Sequence, residues 1–301
     1  MQNGKDISGF TLIELSIVLV IIGLIVGAIL AGKDLIDAAA QRAQIAQIEK
    51  YNTAVHTFQG KYGYLPGDIP APYASNFGFI ARGTNPGEGD GNGVIEGNCT
   101  NAASGGNNGF DEGCGELALF WTDLTTANLI DTGISQQGGF PNATSNSYTN
   151  TPSQRIPNAK IGNGNFVYIW SAFGNNYFGL SSVYDVNLSV EIFSSNLTGV
   201  TVQQAYNIDK KIDDGLPQSG SVMADYVNYH INGHAIVWSS GAGTQGANNN
   251  SWPLYGPTTN VTSYATTNCY DNSYAGGSAA IQNYQLQNAT AQNCALSFKF
   301  Q

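Results

Sequence analysis

Hydrophobic positions change their spacing along the chain. From Phe10 to Gly32 they run almost unbroken, FTLIELSIVLVIIGLIVGAILAG. An apolar run of roughly 20 residues is long enough to cross a bilayer as one helix. From Lys33 to about Gly60 the spacing becomes three and four, with Ile45, Ile48, Tyr51, Val55 and Phe58 on one side. Gln41, Arg42, Gln44, Gln47, Glu49 and Lys50 mostly fill the other side, which predicts an amphipathic helix lying on a core. No breaker separates the two runs. They predict one long helix, stopped near Gly60 by Tyr62-Gly63-Tyr64-Leu65-Pro66-Gly67-Asp68, because Gly and Pro do not continue a helix.

Beyond this the pattern mixes elements. Gly115 to Asp131 predicts a second helix, with Leu117, Phe120, Trp121, Leu124, Ala127 and Leu129 on its apolar side. Residues 133–165, rich in Gly, Asn, Ser and Pro, predict a long loop. Strand-like runs follow at Phe166–Trp170, Tyr177–Ser181, Val183–Phe193, Val222–Ile231, His234–Ser239 and Leu296–Phe300. Thr201 to Asp213 predicts a short helix ended by Gly215 and Pro217. Asn232-Gly233 predicts a hairpin turn that places Ile231 opposite His234 and His230 opposite Ala235. Residues 240–293 alternate turn signals with Tyr and Asn, and no strands are assigned there. The expected fold is α+β: a protruding N-terminal helix packed on an antiparallel sheet, with disulfide-braced loops.

Composition narrows the function classes. The chain has 301 residues, 42% hydrophobic and 11% aromatic, enough to bury a core. Its formal net charge is -10, and its basic residues are scattered. Phosphate binding needs clustered Lys and Arg, so no nucleic-acid partner is expected. The four cysteines lack a CxxC spacing, which disfavours a zinc site or a thioredoxin-like motif. In an extracytoplasmic setting they predict two disulfides. Three connectivities are open, and Cys99–Cys114 with Cys269–Cys294 needs the least rearrangement of the chain.

The apolar run contains one ionisable residue, Glu14. A carboxylate inside such a helix is costly and calls for a partner or a task. A secretory signal peptide cut after Val26-Gly27-Ala28, or a plain single-span anchor, gives it neither. The string Gly9-Phe10-Thr11-Leu12-Ile13-Glu14 closely resembles the type IV prepilin signature. That resemblance implies cleavage between Gly9 and Phe10 by a prepilin peptidase, N-methylation of Phe10, and pairing of the Glu14 carboxylate with the Phe10 amine of a neighbouring copy. The apolar segment would stay on the mature chain. Gly23 and Gly27 form a GxxxG step that lets apolar helices approach closely. Many pilins carry a Pro where this chain has Ala31, so no Pro-driven break is expected.

The division expected on this basis is a leader over 1–9, a transmembrane and filament-core helix over 10–32, its amphipathic continuation over 33–62, and a globular extracytoplasmic head over 63–301. The resemblance implies insertion in a bacterial inner membrane with a single pass. It also implies assembly with itself and other pilin-like subunits into a periplasmic or extracellular filament. Two functions fit: a structural or adhesive pilus subunit, or a pseudopilin driving export in type II secretion. Leu65-Pro66-Gly67-Asp68, the Gly-rich loop over Gly89 to Gly97 and Phe120-Trp121 further resemble a group of large pilin-like proteins.

Within that loop, Glu88-Gly89-Asp90-Gly91-Asn92-Gly93-Val94-Ile95-Glu96 spaces oxygen donors at alternate positions, with Gly93 sixth, as at the start of an EF-hand loop. It predicts calcium bound by Glu88, Asp90, Asn92, the Val94 carbonyl and Glu96. Cys99 stands where the closing bidentate Glu would be. A Cys99–Cys114 bridge would return Asp111, Glu112 or Glu116 to the loop in its place. The competing reading is a solvated turn. His230 and His234, on opposite faces of their hairpin, do not make a zinc site. No Ser/His/Asp arrangement in a recognisable context, no G-x-S-x-G and no phosphate-cradling loop is present, so no enzyme is expected.

Overall fold

The computed structural model describes residues 11–85, 87–97, 115–134, 148–149, 152–172, 174–183, 185–187, 192–193, 199–217, 219–224, 230–231, 234–235, 269–271, 283–290, 292 and 294–300. The first element is a single helix, α1 (Leu12–Tyr62), 51 residues long. At about 1.5 Å per residue it extends roughly 77 Å. Thr11 caps it: its Oγ1 accepts from the Glu14 amide, and the Glu14 carboxylate accepts from the Thr11 amide at 2.8 Å. This capping box satisfies two of the amides that a helix start leaves unpaired. At the far end Gly63 adopts φ 80° and its N–H donates to the Gln59 carbonyl. Without a Cβ it takes the left-handed conformation that terminates the helix. Ala31 interrupts nothing, as expected from the absence of Pro.

Shorter helices follow: α2 (Ala71–Asn76), α3 (Gly115–Thr126) and, later in the chain, α4 (Val202–Ile212). In chain order the strands are β1 (Tyr148–Thr149), β2 (Asn165–Ala172), β3 (Asn175–Ser182), β4 (Asp185–Asn187), β5 (Ile192–Phe193), β6 (Val222–Met223), β7 (His230–Ile231), β8 (His234–Ala235), β9 (Tyr270–Asp271), β10 (Asn283–Tyr284) and β11 (Leu296–Lys299). The principal sheet is antiparallel in the order β2-β3-β11-β6. The last strand of the chain therefore sits inside the sheet, with Phe298 opposite Phe178 on one side and Val222 on the other.

The core lies between α1, α3 and this sheet. Tyr51 of α1 meets Trp121 of α3 edge-on, ring centres 4.8 Å apart, and Phe178 of β3 at 6.2 Å. Such edge-to-face contacts suit the ring quadrupoles. Phe120 and Phe300 close the cluster around Phe178. Two buried glutamines of α1 bind the head through its backbone. Gln47 donates to the Asn158 carbonyl and accepts from the Lys160 amide, and Gln44 accepts from the Ile161 amide. Helix α4 enters through a capping box at Thr201 and Gln204 and reaches α1 by the Asn207–Gln41 hydrogen bond.

Several expected elements are shorter or divided. α3 ends at Thr126 rather than Asp131, because Asn128 takes φ 56° and the Leu129 amide closes back on Leu124. The expected strand Val183–Phe193 contains β4 and β5 paired with each other, so the chain reverses within that run. Among the described residues, the expected strand Val222–Ile231 holds β6 and β7. Of the expected strand His234–Ser239, only β8 is among the described residues. Residues 133–165, expected as a loop, hold β1, which pairs with β4, and a short 3-10 turn at Pro152–Gln154. The hairpin register His230↔Ala235 and Ile231↔His234 is the expected one. In the unassigned region β9 and β10 pair beside a disulfide joining Cys269 to Cys294.

Candidate functional site

Two regions carry the chemistry singled out in the sequence. The first is the outer half of α1. Leu12, Ile17, Ile22, Ile29 and Leu30 are all exposed, on every side of the helix. The segment is long and apolar enough to cross a membrane. Gly23 and Gly27 have nothing within 4 Å of where a Cβ would stand. Their face is open to another helix. Glu14 lies in the first turn, held in the capping box with Thr11. Gly9 and Phe10 lie outside the described residues.

The second region is the acidic loop, and the sequence around it builds it in layers. Helix α1 ends, and Leu65-Pro66-Gly67-Asp68 turns the chain under α3. A Cβ on Gly67 would stand 2.4 Å from the Glu116 carbonyl oxygen, so only glycine fits this approach. The Gly67 amide donates to Asp123 at 2.7 Å, and Asp123 in turn pairs with the buried guanidinium of Arg82. With Gly67 fixed, the Asp68 carboxylate enters the loop and accepts from the Gly91 and Gly93 amides at 2.6 and 2.8 Å. From the opposite side Glu116, in the first turn of α3, accepts from the amides of Gly89, Asp90 and Glu96. Loop backbone and buried carboxylates thus satisfy each other.

The electrostatic consequence is strong. Oxygens of Asp68, Asp90 and Glu116 lie within 4.8 Å of one another. Burial raises the Asp68 carboxyl from an ordinary 3.8 to about 7, and the backbone hydrogen bonds from Gly93 and Gly91 only partly oppose this. Glu116 is pushed well above the usual carboxylate range by burial first and by Asp68 second. Glu96 is raised by burial and by Asp90. Arg82, the buried cation nearby in the chain, is engaged with Asp123. A donor set made only of carboxylate oxygens suits a hard cation such as calcium.

The expected ligands divide. Asp90 and Glu116 come together. Asp68 joins them and was not among the residues expected. The signal for it was the Leu65-Pro66-Gly67-Asp68 string, whose glycine permits the close approach to α3. The Glu88 carboxylate accepts from the Asn85 amide instead. The Asn92 side chain accepts from the Val94 amide and donates to Asp90. Cys99 and Cys114 lie outside the described residues, as do Asp111 and Glu112.

Residues 4–30 match the prokaryotic N-terminal methylation motif, the signature of type IV pilins and pseudopilins. The match covers the apolar half of α1 and the residues leading into it. No curated protein and no solved structure matches the chain. The match spans less than a tenth of the chain and ends before the head.

Proposed function

We propose that this chain is a structural subunit of a type IV pilus or a related filament. Prepilin peptidase cuts between Gly9 and Phe10, Phe10 is N-methylated, and the exposed half of α1 leaves a bacterial inner membrane to enter the filament core. The observation that carries the reading is the continuity of the methylation motif with a helix that is exposed and apolar on all sides before it reaches the head. A new amine at Phe10, in an apolar bundle, needs a counter-charge, and Glu14 of a neighbouring copy supplies it about one turn along. Gly23 and Gly27 let the bundle close.

Intact-mass and N-terminal peptide mass spectrometry on chain from its native cells tests this. The expected species begins at N-methyl-Phe10 and disappears when the peptidase is deleted. A chain beginning near Ile29, or one that keeps Met1 irrespective of the peptidase, overturns the reading. Filaments outside the cell support the pilus. Loss of protein export without visible fibres supports the other reading, a pseudopilin of type II secretion.

Calcium bound by Asp68, Asp90 and Glu116 would neutralise this carboxylate cluster, in which Asp68 and Glu116 are buried, and would fix the loop on the head. The supporting observation is their mutual approach. Calcium titration of the detergent-solubilised chain is expected to raise its unfolding temperature, EDTA to reverse this, and Asp90→Asn to blunt it. An unchanged unfolding temperature overturns the assignment.

A further inference from the structure

The face of α1 that binds the head extends beyond the head. Its buried positions Gln44, Ile48, Tyr51, Val55 and Phe58 recur at spacings of three and four. The same spacing continued toward the N-terminus passes through Ala40, Asp37, Ile36 and Lys33. Ile36 is 70% exposed although it lies on this head-facing side. Residues of the exposed apolar run before Lys33 have a bilayer or a helix bundle to enter. Ile36 stands between two charged residues just outside that run, below the edge of the head.

The opposite end of the head carries the complementary surface. Tyr73 of α2 and Phe77, the residue that caps its end, are 48% and 44% exposed. They rest on the end of α1: Phe77 packs against Tyr62 at 5.3 Å, and Tyr73 stacks on Tyr64 at 5.8 Å. Lys61 lies over the Tyr62 ring at 4.9 Å. The exposed Asp90 belongs to the loop that Tyr64 and Pro70 flank at Gly91. From Ile36 to Tyr62 the helix rises about 39 Å. The aromatic pair is therefore remote from any membrane that holds the apolar run.

We propose that Tyr73 and Phe77 of one copy dock beneath the head of a copy that entered the same filament earlier and lies farther from the membrane, on Ile36 between Lys33 and Asp37. This rests on the filament reading above. The charges match, with Lys61 beside the aromatic pair set toward Asp37 beside Ile36. The two patches differ, so the contact is head-to-tail: it does not close on itself and it propagates along an open filament. Copies displaced by about 39 Å along a common helix direction bring the patches level. The docking would cover the exposed aromatic pair of one head and the exposed isoleucine of the next. It adds an outer contact to the packing of the apolar helices.

The test uses the full chain in its native cells, with Phe77→Cys and Ile36→Cys introduced singly and together. Non-reducing gels of sheared filaments are expected to show a ladder of cross-linked copies with the pair and not with either single variant. In parallel, Lys61→Asp is expected to lower filament-borne chain several-fold, and Asp37→Lys added to it to restore the amount. Filaments of N-methyl-Phe10 chain that give no ladder overturn the docking and leave the filament reading standing. Failure of Asp37→Lys to restore the Lys61→Asp variant also overturns it. A chain left unprocessed irrespective of the peptidase overturns the filament reading, and the docking falls with it.

Discussion

The two halves of α1 carry the same kinds of apolar residue toward different partners. In the outer half Ile13, Leu15, Ile17, Val18 and Leu19 are exposed around the whole circumference. In the inner half Ile48, Val55 and Phe58 occupy one stripe, covered by α3 and the sheet. Nothing in the backbone divides them, since the helix is continuous from Leu12 to Tyr62. What differs is the period of the pattern. A stripe of period 3.6 can be satisfied by one surface, and this chain folds that surface from its own head. An apolar circumference needs partners on all sides, and only lipid or several other helices provide them.

The comparison breaks most sharply at Glu14, where the expected effect is on assembly alone. Glu14→Gln keeps a group that can cap the helix through Thr11, but it removes the charge that the proposed pairing sets against the amine of a neighbouring copy. Loss of one partner from a desolvated charge pair costs about 2–5 kcal/mol, and each contact in a filament repeats that loss. Chain recovered in filaments should fall by about tenfold or more, while the unfolding midpoint of the head stays where it was. An equal fall in head stability would show that the halves are not independent.

Core deletions sharpen the same contrast. Phe58 is fully buried against Tyr62 and Phe79. Phe58→Ala should destabilise the head by about 3–5 kcal/mol through lost burial and the cavity left behind. Denaturant unfolding of the detergent-solubilised chain, followed by tryptophan fluorescence, measures it. Ile22→Ala removes a side chain with no partner in the head and should leave that unfolding within about 0.5 kcal/mol. A large effect of Ile22→Ala on the head would remove the distinction between the halves.

A smaller effect is expected where the inner half is fixed by polar contacts. Gln47→Ala leaves the Asn158 carbonyl and the Lys160 amide without this partner and should cost about 1–3 kcal/mol. Hydrogen exchange at Lys160 should rise with it. Unchanged protection there would mean that apolar packing alone holds the segment over 158–161 to the helix.

How far the sequence revealed these features follows from the range of each signal. The long helix, its end at Gly63 and the Asn-Gly hairpin register are local, set by side-chain period and by glycine. The pairs β2–β3 and β11–β3 involve runs that were legible as strands. The insertion of the last strand between β3 and β6 was not, because it joins residues more than 70 positions apart. The run over 183–193 reads as one strand by composition, yet its reversal into β4 and β5 leaves no breaker in the sequence. At the acidic loop the alternating oxygens drew attention to Glu88 and Asn92. Glu116 was expected to return to the loop from the following helix, whereas Asp68 enters from the turn after α1, fixed by the Gly67 approach to α3, and loop periodicity carries no trace of it.

The second buried carboxylate site isolates the head from the outer half by pH. Asp209 is buried, accepting from the Tyr284 hydroxyl at 2.7 Å and the Gly215 amide at 3.1 Å. Burial raises its carboxyl from an ordinary 3.8 to about 7, with Asp214 and Asp213 adding to the rise against those two hydrogen bonds. The folded chain therefore holds a proton that the unfolded chain has released. The stability this contributes is fully present below about pH 4 and is lost as pH rises toward 7. Asp68 changes in the same sense over the same interval. Asp209→Asn keeps an acceptor for Gly215 and cannot ionise, so its unfolding temperature should fall less between pH 4 and pH 7 than that of the unaltered chain. Parallel pH profiles for the two would show that Asp209 is ionised at little cost where it lies. Filament formation through the outer half should not distinguish them at a pH where both heads are folded.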